Sequence, residues 1–239
     1  MKAVILNSGL GKRLEELTEN KPKCLVELYN GETILERQLR ILIKNGIKEI
    51  VMTTGPFERK IKKHVSDKFP NLSIKYVKND YYSETNYIYS IYLAKNEIID
   101  DVLLLHGDLV FSNELIEKIV NYEKNNFGLI NKKVDLPEKD FKAKILNDKI
   151  TKISIDITGN NVYTFMPIYN LKKGKIKLWV DEIEKFVKNK ELKVYAENAL
   201  NNILDEIELN YFEYSNYFCK EIDDKNDLEI INKEVKDFD

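Results

Sequence analysis

The chain has 239 residues, 43% of them hydrophobic and 33% charged, which gives enough apolar content for a substantial core and excludes the disordered class. Its charges nearly cancel, to a formal net charge of −2, so the basic excess of a nucleic-acid binder is missing. No apolar run approaches the roughly 20 residues that span a bilayer, and the two cysteines, Cys24 and Cys219, are far apart and form no CxxC pair. The run Ala3 to Leu6 is too short for a signal-peptide core, so the expectation is a cytoplasmic protein with reduced thiols.

The opening "KAVIL" reads as a short buried strand. From Glu32 to Lys44, apolar residues at Ile34, Leu35, Leu39, Leu42 and Ile43 have helical spacing, and Asn45-Gly46 stops the helix. "IKEIVMTTG" is the next strand, Glu58 to Lys68 a helix that ends before Pro70, and "LSIKYVKN" a strand. Glu84 to Asn96 reads as a helix with Ile88, Ile91 and Tyr92 facing inward and Tyr87 as a further candidate for that face. "DVLLLHGD" is too continuously apolar for a half-exposed strand, which predicts a central position covered on both faces. Strand and helix alternate to about residue 120, as in a mostly parallel sheet with helices on both sides.

The pattern then changes. "FKAKILNDKITKISI" predicts a hairpin turning at Asn147-Asp148, and "NVYTFMPIYNL" a further strand. Lys175 to Lys188 and Glu197 to Glu206 look helical, "IELNYFEY" is a strand, and Asp227 to Val235 a closing helix. There is no repeat, Gly/Ser linker or low-complexity tract. One α/β domain over 1–239 is expected, with a nucleotide-binding half (1–120) and a more antiparallel acceptor-binding half (121–239).

In such sheets ligands bind beyond the carboxyl ends of the strands. There the chain spells "NSGLGKRLEELTENKPKCLVEL", Asn7 to Leu28. Gly9 and Gly11 allow close backbone approach to a phosphate. Lys12, Arg13 and Lys23 can neutralise a polyphosphate, Arg13 with a bidentate fork. Neither the Walker pattern nor G-x-G-x-x-G is present, and a solvated turn with surface cations is the bland alternative.

The same stretch resembles the signature of the nucleotidyltransferases that make sugar nucleotides and CDP-activated compounds: a strand, Gly-x-Gly-x-Arg (Gly9, Gly11, Arg13), then Pro22-Lys23 before the next element. That family often has two alanines where this chain has Asn7 and Ser8. "NDYYSETNYIYSIYLAK" is similar to a segment of phosphocholine cytidylyltransferases and of relatives that activate phosphonates or phosphoramidates. "LLHGDLVF", "CKEIDDKNDLEII", "KDFKAKI" and "YAENAL" extend the resemblance over nearly the whole chain.

The resemblance implies a Rossmann-like three-layer α/β/α fold with a mostly parallel mixed sheet. It implies transfer of CMP from CTP to a small phosphorylated or phosphonate acceptor, with release of pyrophosphate and with Mg²⁺ as cofactor. Phosphoglutamine, for a capsular phosphoramidate modification, is the first acceptor candidate; phosphocholine, or a sugar 1-phosphate in an NDP-sugar pyrophosphorylase, is the alternative. No nucleic-acid or membrane partner is implied, and the chain would be a monomer or homodimer.

Carried over residue by residue, it makes Arg13, Lys23, Asp108 and Asp223 catalytic, with Asp108 and Asp223 as metal ligands and Asp224 the neighbour most easily confused with the second. Leu6, Asn7, Ser8, Gly9, Gly11, Lys12, Gly55, Asn86 and Ser90 would meet the nucleotide. Lys142, Glu197 and Asn198 would meet the acceptor, Lys142 at its phosphate and Glu197 at its cationic group. His106 reads as a structural strand residue and His64 as a surface one. A glycosyltransferase of related topology would want Asp-x-Asp where this chain has Asp108-Leu109-Val110. A non-catalytic nucleotide-binding module would have no need of Arg13, Lys23, Asp108 and Asp223 together.

Overall fold

The computed structural model describes residues 1–238. Five strands and four helices build the first half: β1 (Lys2–Asn7), α1 (Ile34–Lys44), β2 (Ile50–Thr54), α2 (Glu58–Lys68), β3 (Ile74–Lys78), α3 (Tyr87–Leu93), β4 (Val102–His106), β5 (Leu109–Phe111) and α4 (Asn113–Val120). The second half contains β6 (Phe127–Asn131), β7 (Lys142–Leu146), β8 (Lys149–Ser154), β9 (Val162–Leu171), α5 (Lys173–Lys188), α6 (Ala196–Asn201), α7 (Leu204–Ile207), β10 (Asn210–Glu213), β11 (Cys219–Glu221) and α8 (Lys225–Glu234).

One sheet runs through both halves in the order β10-β6-β9-β4-β1-β2-β3. β4, β1, β2 and β3 are mutually parallel, β9 is antiparallel to both its neighbours, and β10 is parallel to β6. β4 therefore lies at the middle, and its residues Val102 to Leu105 are buried, as the continuous apolar run predicted. Alternation along β1 divides the core. Val4 and Leu6 face α3, α5 and α6 through Ile88, Ile91, Trp179 and Ala199. Ala3 and Ile5 face α1, α2 and α4 through Leu35, Leu39, Ile61 and Leu115. The layers are helix, sheet, helix.

Local signals account for the boundaries. Thr33 and Glu36 form a reciprocal capping box at the start of α1, and Gly46 (φ 82°) follows its end. Ser112 caps α4 by accepting from the Leu115 amide. Asn147 and Asp148 both take positive φ, 49° and 58°, the pair that a two-residue hairpin of this twist requires.

Two expectations need correction, and two features went unread. The helix predicted from Glu84 begins at Tyr87, because the Asn86 side chain accepts the Tyr87 amide and caps it there. The helix predicted over Glu197 to Glu206 breaks into α6 and α7. β6 and the small antiparallel ladder of β5 with β11 carry no periodic signal; three-residue strands are too short to show one. That ladder matters, because it ties the C-terminal segment beside the end of β4. A third apolar cluster, including Leu14, Ile34, Val110, Ile222 and Ile231, locks the opening loop, β5 and α8 together. Among the described residues no helix is long and apolar enough to cross a membrane, and both cysteines are free and buried.

Candidate active site

A cavity of about 420 Å³ opens at the carboxyl ends of β1 and β4. Its wall includes Leu6, Asn7, Gly9, Gly11, Lys12, Arg13 and Lys23 from the opening loop, Asn86 and Tyr87 from α3, and His106, Gly107 and Asp108 from the end of β4. Phe141, Tyr195, Glu221 and Asp223 come from the second half. A smaller cavity of about 190 Å³ shares Leu6, Gly9, Asn86, Tyr87, His106 and Asp108 with it and adds Ser8, Asn79, Thr85 and Ser90.

The loop's glycines do different work. Gly11 takes φ 64°, and a Cβ there would stand 2.9 Å from the Lys23 Cβ; the position needs glycine on both counts. At Gly9 a Cβ would meet no protein atom within 4 Å, so the space beside it lies open. Gly107 carries the tightest demand, since a Cβ would fall 1.7 Å from Asn7 Oδ1. Its neighbour His106 holds the end of β1 as well, through the parallel pairing with Leu6.

Charge is concentrated at one point. The Lys23 ammonium lies 2.7 Å from Asp108 Oδ2 and 3.0 Å from Asp223 Oδ1, and Arg13 Nη2 is 3.0 Å from that same Asp223 oxygen. Burial pushes the Asp108 carboxyl up, but the Lys23 ammonium and His106 outweigh it and hold the group below its ordinary range. Burial likewise opposes the Lys23 charge, and Asp108 and Asp223 more than restore it, so Lys23 titrates above its usual value. Asp224 faces elsewhere: its side chain accepts the Asp227 amide and caps α8. The two neighbouring acids are thus separated, Asp223 into the cavity and Asp224 into the helix end.

These residues fit a divalent cation. Two carboxylates already converge on one positive charge, the donors are hard oxygens of the kind Mg²⁺ takes, and Asp108 Oδ1 is buried with no hydrogen-bond partner among the described residues.

The smaller cavity is lined by a polar chain. Asn79 Nδ2 donates to Ser90 Oγ at 3.1 Å, and Ser90 Oγ donates to Ser8 Oγ at 3.0 Å. The Ser8 hydroxyl at the end of this chain can donate to a ligand or accept from one. Asn7 Nδ2 is also buried without a partner among the described residues. Asn7 and Ser8 therefore present donors at the place where the resembling family often has alanines.

The acceptor expectations are not met by this geometry. Lys142 is 4% exposed, its ammonium donates to the Pro137 carbonyl at 2.6 Å, and it does not line the cavity. Glu197 is 1% exposed and accepts from the hydroxyls of Tyr169, at 2.5 Å, and Tyr87. It stands behind the wall and anchors Tyr87, which lines it. Asn198 is exposed on α6, away from the cavity. Gly55 lines neither cavity; a Cβ there would come 2.4 Å from the Ser8 carbonyl oxygen, so its role is to let β2 and the opening loop approach.

Sequence reading missed Lys139, Asp140, Phe141, Tyr195 and Glu221 on the wall, and misread His106, which lines both cavities. Glu221 and Asp140 each lie two residues from a residue that motif reading did single out, Asp223 and Lys142.

A family model described as "Nucleotidyl transferase" matches residues 2–140. The choline-phosphate cytidylyltransferase of Streptococcus pneumoniae is 36% identical over 117 residues, 47% of each chain. The CTP:phosphoglutamine cytidylyltransferase of Campylobacter jejuni is 29% identical over 132 residues, 51% of this chain and 49% of that one. The chain spans about half the length of these curated relatives. A solved structure of a putative glucose-1-phosphate thymidylyltransferase from Bacillus anthracis superimposes with a TM-score of 0.81 at 21% identity, covering 100% of this chain and 96% of that one; it supports the Rossmann-like nucleotidyltransferase fold alone. The loop signature, the strand ends that carry it and the matched family model lead to one assignment: this chain belongs to the nucleotidyl transferase family.

Proposed function

We infer that this chain transfers CMP from CTP to a small phosphorylated or phosphonate acceptor bearing a cationic amine, releasing pyrophosphate. The observation that carries this reading is the convergence of Arg13, Lys23, Asp108 and Asp223 at one end of a cavity whose adjoining pocket holds the Asn79–Ser90–Ser8 donor chain. Similarity to two CTP-using relatives supports cytosine as the base.

In this reaction an acceptor oxygen attacks the α-phosphorus of CTP, and the bond from that phosphorus to the β-phosphate bridging oxygen breaks. A phosphate monoester has its second pKa near about 6, so the nucleophile is already ionised and no strong base is required. Lys12, Arg13 and Lys23 offset the charge of the triphosphate and of the leaving pyrophosphate. Asp108 and Asp223 would hold Mg²⁺, which supplies charge compensation on the transferring phosphoryl group when bound. The Ser8 hydroxyl suits the acceptor edge of cytosine.

Tyr87, Phe141 and Tyr195 also line the cavity, with ring centroids 5.1 Å (Phe141–Tyr195) and 6.0 Å (Tyr87–Tyr195) apart, and Asp140, next to Phe141 in the chain, lines it within electrostatic reach of Arg13 and Asp223. Ring faces with a carboxylate suit an ammonium group. Phosphoglutamine and phosphocholine both present one, whereas a hexose 1-phosphate presents none.

Pyrophosphate release from CTP and Mg²⁺, measured with phosphoglutamine, phosphocholine, aminoethylphosphonate and glucose 1-phosphate, tests this reading. An amine-bearing acceptor is expected to react at least tenfold faster than glucose 1-phosphate. The reverse order would replace this reading with that of an NDP-sugar pyrophosphorylase.

A further inference from the structure

The turn that carries Asp108 is held from behind the cavity. β4 ends at His106 and β5 begins at Leu109, so Gly107 and Asp108 are the link between them. Gln38, fully buried in the second turn of α1, reaches both sides of that link. Its Nε2 donates to the His106 carbonyl at 3.0 Å and to the Leu109 carbonyl at 2.8 Å. An amide nitrogen carries two hydrogens, and each is used. Both partners are carbonyl oxygens, so they fix which way the amide points. Oε1 of the same group is buried without a hydrogen-bond partner among the described residues.

Gly107 makes such a restraint necessary. The position has to be glycine, because a Cβ would fall 1.7 Å from Asn7 Oδ1, and glycine is the residue whose backbone is least restricted. Left to itself, the link could carry the Asp108 carboxylate through a range of directions. α1 restrains it without entering the site, since Gln38 lines neither cavity. The preceding residue, Arg37, extends the hold by donating from Nε to the Phe111 carbonyl at 2.9 Å. Core packing alone does not call for an amide here. Leu35, Leu39 and Leu42 of the same helix fill the core with apolar groups, whereas Gln38 leaves a buried acceptor unpaired, which is unfavourable. Its two donor bonds are what distinguish it from those leucines.

We propose that Gln38 is a positioning residue for nucleotidyl transfer: by clamping the His106 and Leu109 carbonyls it sets the direction of the Asp108 carboxylate. It touches neither substrate nor reacting atoms and acts through the turn alone. The Ile222 amide donates to the Asp108 carbonyl at 3.1 Å, so the same restraint passes to the segment that continues into Asp223. A misplacement of about 1 Å at a reacting centre can lower a rate on the order of a hundredfold, and a glycine link freed at both ends permits movement on that scale. The effect of Gln38 on the rate rests on the role proposed for Asp108; its hold on the turn does not.

The test compares Gln38→Met, which keeps the length and loses both donors, with Leu39→Ala, a neighbouring core truncation on α1. Amide hydrogen exchange of the full chain without substrates, read by NMR, should quicken about tenfold or more in Gln38→Met at Gly107 and Ile222, whose amides bond to Leu6 and Asp108, and stay unchanged at Leu104 inside β4. At saturating CTP and acceptor, kcat should fall about tenfold or more, with both KM values within about threefold. Leu39→Ala should lower the unfolding temperature at least as much and leave kcat within about twofold. Gln38→Met combined with Asp108→Asn should be no slower than Asp108→Asn alone, because the two act as one unit. Should Gln38→Met fail to fold, Gln38→Asn, which keeps the amide but is one methylene too short to span both carbonyls, carries the same expectations. Unchanged exchange at Gly107 and Ile222, or a loss of kcat no larger than that of Leu39→Ala, would overturn the proposal and leave Gln38 as a core residue. Full activity in Asp108→Asn would instead remove the role proposed for Asp108, and the exchange data would still decide whether Gln38 holds the turn.

Discussion

The two halves of the cavity are built differently. On the side we assign to the nucleotide, the candidate residues sit in loops leaving strands: Gly9 to Arg13 after β1 and Asp108 after β4. Their positions follow from the sheet, and close contacts pin them, as with Gly107 against Asn7 and Gly11 against Lys23. On the side we assign to the acceptor the wall comes from the segment before β7 and from the residue that leads into α6, Tyr195. Glu197 and Tyr195 are two residues apart, and the buried one is the carboxylate. A charged residue near a site is therefore weaker evidence of binding when it lies on a helix than when it ends a strand.

The largest effect that separates the halves is expected at Asp108. Asp108→Asn should lower kcat with Mg²⁺ at least about a thousandfold, the scale of losing a group that offsets transition-state charge, while circular dichroism shows an intact fold. Gly107→Ala tests the close packing of the nucleotide side. Its Cβ would overlap Asn7, so a loss of about 1–3 kcal/mol is expected by denaturant unfolding. Because the conflict is with one side chain, Asn7→Ala should recover most of it in the double variant.

The acceptor side is probed by a pair. Asp140→Asn is expected to raise the acceptor KM about tenfold, the effect of one charge-assisted contact, with the KM for CTP unchanged. Glu197→Gln should instead cost about 1–3 kcal/mol of stability, since two tyrosine hydroxyls lose the carboxyl group that accepts from both, and leave the acceptor KM within about twofold. If Glu197→Gln raised the acceptor KM as Asp140→Asn does, the division between wall and support would be wrong. Smallest is Asp224→Ala, which removes the α8 cap for about 1 kcal/mol and should leave kcat nearly unchanged, in contrast to Asp223→Asn.

The pH dependence has a defined sign. Asp108 is held below its ordinary carboxylate range by Lys23 against the effect of burial, so it stays ionised as pH falls from neutrality. The acid limb of kcat/KM should then follow the acceptor phosphate, with a midpoint near about pH 6. A midpoint in the ordinary carboxylate range would assign the limb to an enzyme carboxyl instead.

Much of this was legible in the sequence because its signals are local. The apolar run of β4, the Asn147-Asp148 turn and the loop signature each depend on residues adjacent in the chain. The Asp108–Asp223 convergence was legible only through resemblance, since the β5–β11 ladder that brings the two together has three-residue strands. The placement of His106 and Glu221 on the cavity wall was hidden for a physical reason: a histidine at a strand end looks the same whether it packs or faces a cavity. Lys142 shows the converse: the resemblance set it at the acceptor's phosphate, and the structure has its ammonium held by the Pro137 carbonyl.

The most direct test of the central claim is the rate of pyrophosphate release with CTP against UTP and dTTP, at saturating acceptor and fixed Mg²⁺. In the proposed reading cytosine would turn its ring acceptor, where uracil has a ring N–H, toward the unpartnered Asn7 amide donor and the Ser8 hydroxyl. Each mispaired buried group costs about 1–3 kcal/mol, so CTP should be used roughly ten- to a hundredfold faster. Equal rates with UTP or dTTP would contradict the cytidylyltransferase account.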